Sequence, residues 1–201
     1  MSRPALILAS KSPARRRILE NAGVVFEQRD AQVDEDTLKS RAKSENLDAR
    51  DIALKLAEAK ACTVATDKAD DAIVIGCDQI LIQDDRLFDK PRSMAAARAH
   101  LKTFSGKSHQ LISAVCLAQT GTVIWSHVAV ADMHVRTLGD SFIDNYLASE
   151  GERVLSSVGA YLLEGSGAQL FAQIDGDYFT VLGLPLLPLL EELRKRGILP
   201  A

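Results

Sequence analysis

The first two dozen residues constrain the fold more than any other stretch. Ala5-Leu6-Ile7-Leu8-Ala9 is apolar throughout, and a short unbroken run of that kind reads as a strand buried on both faces. Ser10-Lys11-Ser12 ends it and Pro13 follows. Serine is a favoured N-cap, and proline suits the first helical turn, where its missing N–H has no partner to lose. Ile18, Leu19 and Ala22 then fall on one helical face, and Gly23 marks the stop. A buried strand passing through a tight polar turn into a helix is the opening of a layered α/β structure.

The rest of the chain continues in that style. Residues 26–50 are polar and acidic and read as a loop, carrying Asp34-Glu35-Asp36, followed by a partly exposed helix. Ile52, Leu56, Ala59 and Thr63 recur at helical spacing, which predicts an amphipathic helix over 51–66. Ala72 to Gly76 reads as a second buried strand that ends at Cys77-Asp78-Gln79. Ile80-Leu81-Ile82 stays extended, and Gln83-Asp84-Asp85-Arg86 is a hairpin turn with a short return over Leu87 to Pro91. Ser93 can cap a helix to about Phe104, with Met94, Ala97, Leu101 and Phe104 on one face. Strands are expected over 109–119 and 122–136, joined at Thr120-Gly121, and a helix over 140–149. The Gly-rich segment 159–183 reads as extended, and a last helix runs over 186–196. Strands and helices interleave around central hairpins, so the expected architecture is a mixed, twisted sheet flanked by helices, not a purely parallel one.

Composition narrows the function. A chain of 201 residues with 47% hydrophobic content can bury roughly 70% of its unfolded surface and needs no disulfides. Its formal net charge of −3 supplies no global field for nucleic acid or anionic lipid, so neither is an expected partner. Phosphate binding would need a local cluster of positive charge. Cys62, Cys77 and Cys116 are far apart in apolar stretches, which suits buried free thiols and no zinc site. Ala5–Ala9 is too short for a signal-peptide core and no stretch approaches the ~20 apolar residues of a membrane span. A soluble cytoplasmic protein is the expectation.

Three groups of residues can carry chemistry. Ser10-Lys11-Ser12-Pro13-Ala14-Arg15-Arg16 opens a helix, and a helix N-terminus presents unpaired amides and the positive end of a dipole to an anion. Arg15 adds a charged fork that matches phosphate oxygens. Cations in a first turn oppose the dipole, so Arg15, Arg16 and Arg17 are easier to understand with an anion present. Carboxylates form the second group. Glu35 lies in the acidic loop, and Asp78 follows a buried strand, where a merely solvated charge would be out of place. Two carboxylates suffice for Mg²⁺, which keeps waters and substrate phosphates as its other ligands. Lys60, Lys90 and Lys107, in apolar or turn contexts, form the third. His109 and His134 have no metal-ligand spacing and read as strand-surface residues.

Taken in order, these segments resemble the Maf family almost from end to end. Leu6 to Pro13 is similar to its Ser-x-Ser-Pro-Arg-Arg opening, and Glu35 to the glutamate of its Asp-x-x-Glu-like loop. Leu56-Ala57-Glu58-Ala59-Lys60-Ala61 resembles the Leu-Ala-x-x-Lys-Ala helix, Gly76-Cys77-Asp78-Gln79 the Gly-x-Asp strand end, and Asp89-Lys90-Pro91 the Gly-Lys-Pro turn. Ser105-Gly106-Lys107-Ser108-His109 and Gly176-Asp177-Tyr178 to Pro185 are similar to its two C-terminal elements. Each motif is weak alone; their order across the chain carries the likeness.

The resemblance implies a single Maf-like domain over 1–201 with two lobes around a cleft, as in inosine triphosphatase-like folds. It also implies a divalent metal, Mg²⁺ or Mn²⁺, and hydrolysis of a nucleoside triphosphate to monophosphate and pyrophosphate. Asp78 would be the general base or a metal-linked carboxylate, and Glu35 would help hold the metal. Ser10, Ser12, Arg15, Lys60 and Lys90 would bind the triphosphate, with Lys90 also counted among the catalytic groups. A homodimer is compatible with the family likeness. Two positions depart from the pattern: Ala14 replaces the first arginine of the pair, and Asp89 replaces the glycine before Lys90. Three positions sort substrates in the family, here Ala14, Gln79 and Glu164. The pyrimidine group has Arg, Thr and Gln there, and the 7-methyl-GTP group Trp, Gln and Glu, so Gln79 and Glu164 match the latter. A carboxylate accepts the N1–H and amino protons of a guanine edge. Hydrolysis of dTTP or UTP, and a nucleotide-binding role in arresting septum formation with little turnover, are the alternative expectations.

Overall fold

Among the described residues seven strands form one mixed sheet in the order β2-β1-β3-β5-β6-β7, with β4 paired to β3 outside that path. The computed structural model describes residues 4–66 and 72–200. The strands are β1 (Leu6–Ala9), β2 (Glu27–Arg29), β3 (Ile73–Gln83), β4 (Arg86–Phe88), β5 (Ser108–Gln119), β6 (Thr122–Val135) and β7 (Phe171–Asp175). The helices are α1 (Pro13–Asn21), α2 (Glu35–Ser44), α3 (Ala49–Val64), α4 (Met94–Phe104), α5 (Asp140–Glu150), α6 (Tyr178–Val181) and α7 (Leu186–Lys195). The open mixed sheet with helices is the architecture the sequence predicts. The chain divides into two compact units. One is Met1–Gln79, Ile112–Ala129 and Tyr178–Ala201; the other is Ile80–Leu111 and Val130–Asp177.

In the first unit β1 is parallel to both neighbours, with Ala9 opposite Arg29 of β2 and Gly76 of β3. Alternation sends Leu6, Leu8, Ile73, Ile75 and Cys77 to one face, where they pack with Ile18 and Leu19 of α1 and Leu186, Leu189 and Leu193 of α7. Gly76 points the other way, against α3. A Cβ there would collide with the Ala57 carbonyl oxygen and the Ala61 methyl, so glycine lets α3 lie directly on β3. Ser12 caps α1 with Pro13 at its start, as expected.

The second unit encloses Phe88, Ala97, Leu101, Phe104, Met133 and Ile143. Asp84 and Asp85 both have positive φ (49° and 59°), the conformation of a two-residue hairpin turn whose twist matches its strands. On β6, Ala131, Met133 and Val135 are buried, while His134 faces outward between Ser108 Oγ (2.7 Å) and Asp175 Oδ2 (2.8 Å). His109 departs from its expected surface position. It is buried at 2% exposure, its Nε2 is 2.7 Å from the Tyr161 hydroxyl, and its ring lies 4.6 Å from that of Phe104.

Other expectations also change. The segment 26–50 contains strand β2, and Glu35 is the first residue of α2, not part of a loop. The Asp34 carboxylate accepts from Thr37 N at 3.0 Å and starts that helix. Asp78 does not lie at a strand end, because β3 runs unbroken to Gln83; its pairing with β1 stops at Gly76. The buried side of α3 is Ile52, Ala53, Leu56, Ala57, Lys60 and Ala61, whereas Thr63 is exposed and Ala59 half-buried. The segment 159–183 is not one extended run. It holds a 3-10 turn at Ser166–Leu170 and helix α6 besides β7, and another 3-10 turn at Gly151–Ser156 precedes it. The Glu150 carboxylate draws the 166 turn in by accepting from Ser166 N (3.3 Å) and Oγ (2.5 Å). Cys77 and Cys116 are buried free thiols, but Cys62 is only half-buried.

Candidate functional site

Strand order 2-1-3 sends the chain from β1 to a neighbour on one side and then back across to the other. The carboxyl end of β1, beside the part of β3 just past its pairing with β1, is therefore a topological switch point, the place where open α/β sheets bind ligands. Several of the predicted residues of the first unit converge there.

Ser10 follows β1 and is buried at 7% exposure. Its Oγ accepts from Ser12 N at 3.2 Å and from Arg15 Nη1 at 3.4 Å. Ser12 Oγ in turn accepts from Arg15 N at 3.4 Å. The Arg15 guanidinium is bonded within the chain. Its Nε donates to Gly183 O at 2.8 Å and its Nη1 to Cys77 O at 3.0 Å, so it ties α1 to β3 and to the turn after α6. Gly183 adopts φ +91°, a backbone that ordinary side chains resist, and this carries its carbonyl to Arg15. Ala14 is half-buried on the first turn of α1.

Lys60 is the centre of the charged group. Its Nζ lies 2.6 Å from Asp78 Oδ1 and 2.7 Å from Glu35 Oε1. Lys60 is 9% exposed and Asp78 6%, while the Glu35 side chain keeps 43% of its surface. Burial by itself pushes the lysine's pKa down, but Asp78, with Glu35 assisting, outweighs it, and the ammonium is held above its ordinary value. A helix starting at Glu35, a buried α3 face bearing Lys60 and a strand carrying Asp78 past the end of β1 together build this cluster. Among the described residues no group of three or more His, Cys, Asp or Glu could hold a metal. Two carboxylate donors nonetheless suit Mg²⁺ or Mn²⁺, hard cations that complete their shells with water and phosphate oxygens. The donor set fits, with Lys60 joining its two members.

Gln79 points to the opposite face of β3 from Asp78. Its Nε2 donates to Ser113 Oγ (3.0 Å), Thr180 O (3.1 Å) and Val181 O (3.0 Å). Lys90 and Glu164 belong to the second unit. Lys90 is exposed just after β4, and Glu164 is exposed beside the turn that Glu150 holds. Gly183 and Ser113 are not among the site residues the sequence indicates. Ser113 has one visible signal: a lone hydroxyl in the apolar run Leu111 to Ala118.

A family model described as Maf-like protein matches residues 5–196. The chain is 51% identical over 199 residues to the 7-methyl-GTP pyrophosphatase of Rhizobium meliloti (strain 1021), covering 99% of this chain and 100% of the relative. The 7-methyl-GTP pyrophosphatase of Brucella suis biovar 1 (strain 1330) is 52% identical over 190 residues, 94% of this chain and 95% of that one. The nucleoside triphosphate pyrophosphatase of Hyphomonas neptunium (strain ATCC 15444) is 46% identical over 196 residues, 98% of each chain. A chain with this open mixed α/β sheet is thus similar over nearly its whole length to named pyrophosphatases. The chain belongs to the Maf family.

Proposed function

We propose that this protein is a nucleoside triphosphate pyrophosphatase, which cleaves the α–β anhydride to leave a nucleoside monophosphate and pyrophosphate. The observation that carries the reading is the buried Lys60–Asp78 pair, completed by Glu35, next to the Ser10–Arg15 turn at the carboxyl end of β1. Ser10, Ser12 and the first amides of α1 bind phosphate oxygens, with the dipole of α1 adding to the attraction. Arg15 adds positive charge there while its backbone contacts keep the turn in shape. Asp78 takes the proton of the attacking water, and the electron pair of the broken bridge leaves with pyrophosphate. Lys60 holds Asp78 and Glu35 in one geometry. Glu35 and Asp78 would hold the divalent ion, which when bound offsets phosphate charge and activates water.

The substrate follows from the base-sorting positions. Gln79 and Glu164 fit the pattern of the 7-methyl-GTP enzymes, and the named relatives agree. We assign 7-methyl-GTP as the preferred substrate, in the cytoplasm; among the described residues no helix is long and apolar enough to cross a membrane. The test is purified protein against 7-methyl-GTP, GTP, UTP, dTTP and CTP with Mg²⁺ or Mn²⁺, scoring pyrophosphate separately from phosphate. Pyrophosphate release led by 7-methyl-GTP, and its loss in Asp78→Asn with nucleotide binding retained, is the expected result. Nucleotide binding without release by the wild type would overturn the enzyme reading.

A further inference from the structure

We propose that Ser113 is a positioning residue for substrate selection: with the carbonyls of Thr180 and Val181 it locks the Gln79 carboxamide so that only its oxygen is offered to the base. The inference rests on Gln79 meeting the base, as in the reading above. Three acceptors surround Gln79 Nε2, at 3.0 Å (Ser113 Oγ), 3.1 Å (Thr180 O) and 3.0 Å (Val181 O). Two are backbone carbonyls, which can only accept. The third is made an acceptor by its own bond, because Ser113 donates its hydroxyl proton to Thr180 O at 2.8 Å. Turning the carboxamide over would set Oε1 against two carbonyl oxygens and a hydroxyl whose proton points elsewhere. Nothing in that arrangement could donate to it. Ser113, Thr180 and Val181 are buried, so the acceptor side of these bonds is shielded from water, while Gln79 itself is half-buried.

The lock has a chemical consequence. A freely turning glutamine can present a donor, an acceptor or both, and so can pair with the N–H and adjacent carbonyl of a uracil or thymine edge. A carboxamide held by its nitrogen presents an acceptor alone. The base group it meets must then be a donor, which the N1–H and 2-amino protons of a guanine edge supply side by side. Gln79 thereby becomes a discriminator through Ser113, a residue with no direct part in contacting the nucleotide.

The experiment compares wild type, Ser113→Ala and Ser113→Thr, which keeps the hydroxyl. It reads kcat/KM for 7-methyl-GTP and for UTP, and hydrogen exchange of the Gln79 side-chain amide by NMR. In Ser113→Ala the ratio of the two kcat/KM values should fall about five- to tenfold, the scale of one hydrogen bond. The fall should lie mainly in KM for 7-methyl-GTP, with faster exchange of the Gln79 amide, and Ser113→Thr should restore both. A folded Ser113→Ala protein with an unchanged ratio and unchanged exchange overturns the proposal, as does an equal loss of kcat on both substrates. If the wild type itself shows no preference for 7-methyl-GTP, the substrate reading falls, and the exchange rates alone decide whether Ser113 locks the amide. Should Ser113→Ala not fold, slow exchange of the Gln79 amide in the wild type supports the lock, and exchange at the rate of an exposed glutamine refutes it.

Discussion

Replacing Lys60 with methionine keeps the unbranched stem on the buried face of α3 and removes only the ammonium between Asp78 and Glu35. Breaking a buried pair by deleting one partner typically costs ~3–5 kcal/mol, because the other charge is left uncompensated. Asp78 is the residue left in that position, at 6% exposure. The Glu35 side chain, at 43%, can turn to water, so its half of the bridge adds under about 1 kcal/mol. Methionine also avoids the cost of burying an ammonium, which places the expected loss near the lower end, about 3 kcal/mol. For a chain of this length that is a fall in Tm of roughly 6–12 °C. Urea melts of wild type, Lys60→Met, Asp78→Asn and the double variant measure the effect and the coupling. The double variant should be more stable than Lys60→Met alone, because it carries no unpaired buried charge. The sign of the pH dependence also follows. A lysine whose folded pKa is raised contributes stability in full below its ordinary value of 10.5, and loses it as pH rises through the folded value. The lead of wild type over Lys60→Met should therefore shrink above about pH 10.5. A Lys60→Met protein within ~0.5 kcal/mol of wild type at pH 7, or a double variant weaker than the single, would refute the argument that the ammonium compensates a buried carboxylate.

Gly76→Ala should cost about 1–3 kcal/mol by forcing α3 off β3, and should lower kcat as Lys60 moves away from Asp78; thermal melts and turnover check both. Burial, with His134 nearby, drives the His109 pKa down from 6.5 to about 4. A depressed histidine pKa means the unfolded chain binds the extra proton, so stability is lost as pH falls from 6.5 towards 4, by about 3 kcal/mol in all. His109→Gln should flatten that slope in urea melts between those limits. Glu164→Gln should raise kcat/KM for UTP relative to 7-methyl-GTP, because an amide can pair with both the N–H and the carbonyl of uracil; an unchanged ratio counts against Glu164 as a base contact.

What could be read in advance was local. Ser12 caps α1 through a residue three positions on, Ser93 caps α4 in the same way, and Asp84-Asp85 turns β3 into β4. Such bonds join near neighbours in the chain, so residue type and spacing reveal them, and the ordered motifs were enough to indicate the family. Glu35 at the head of α2 also rests on a local bond, Asp34 to Thr37, but a dense acidic run hides a cap among solvated charges. The rest was decided by partners far apart in sequence. Lys60 became buried because α3 turns that face to β3, and its partner Asp78 is 18 positions away. Arg15 reaches Cys77 and Gly183, 62 and 168 positions on, and Gln79 is held from Thr180, 101 positions on. A periodic pattern tells that a helix has an apolar face; it does not say which strand that face will meet. Residue type and spacing are enough for the layered α/β class, the caps and turns, and the side chains available for phosphate chemistry. That a lysine joins two carboxylates, and that Ser113 and two carbonyls hold the Gln79 amide nitrogen, depends on distances set by the packing of whole elements.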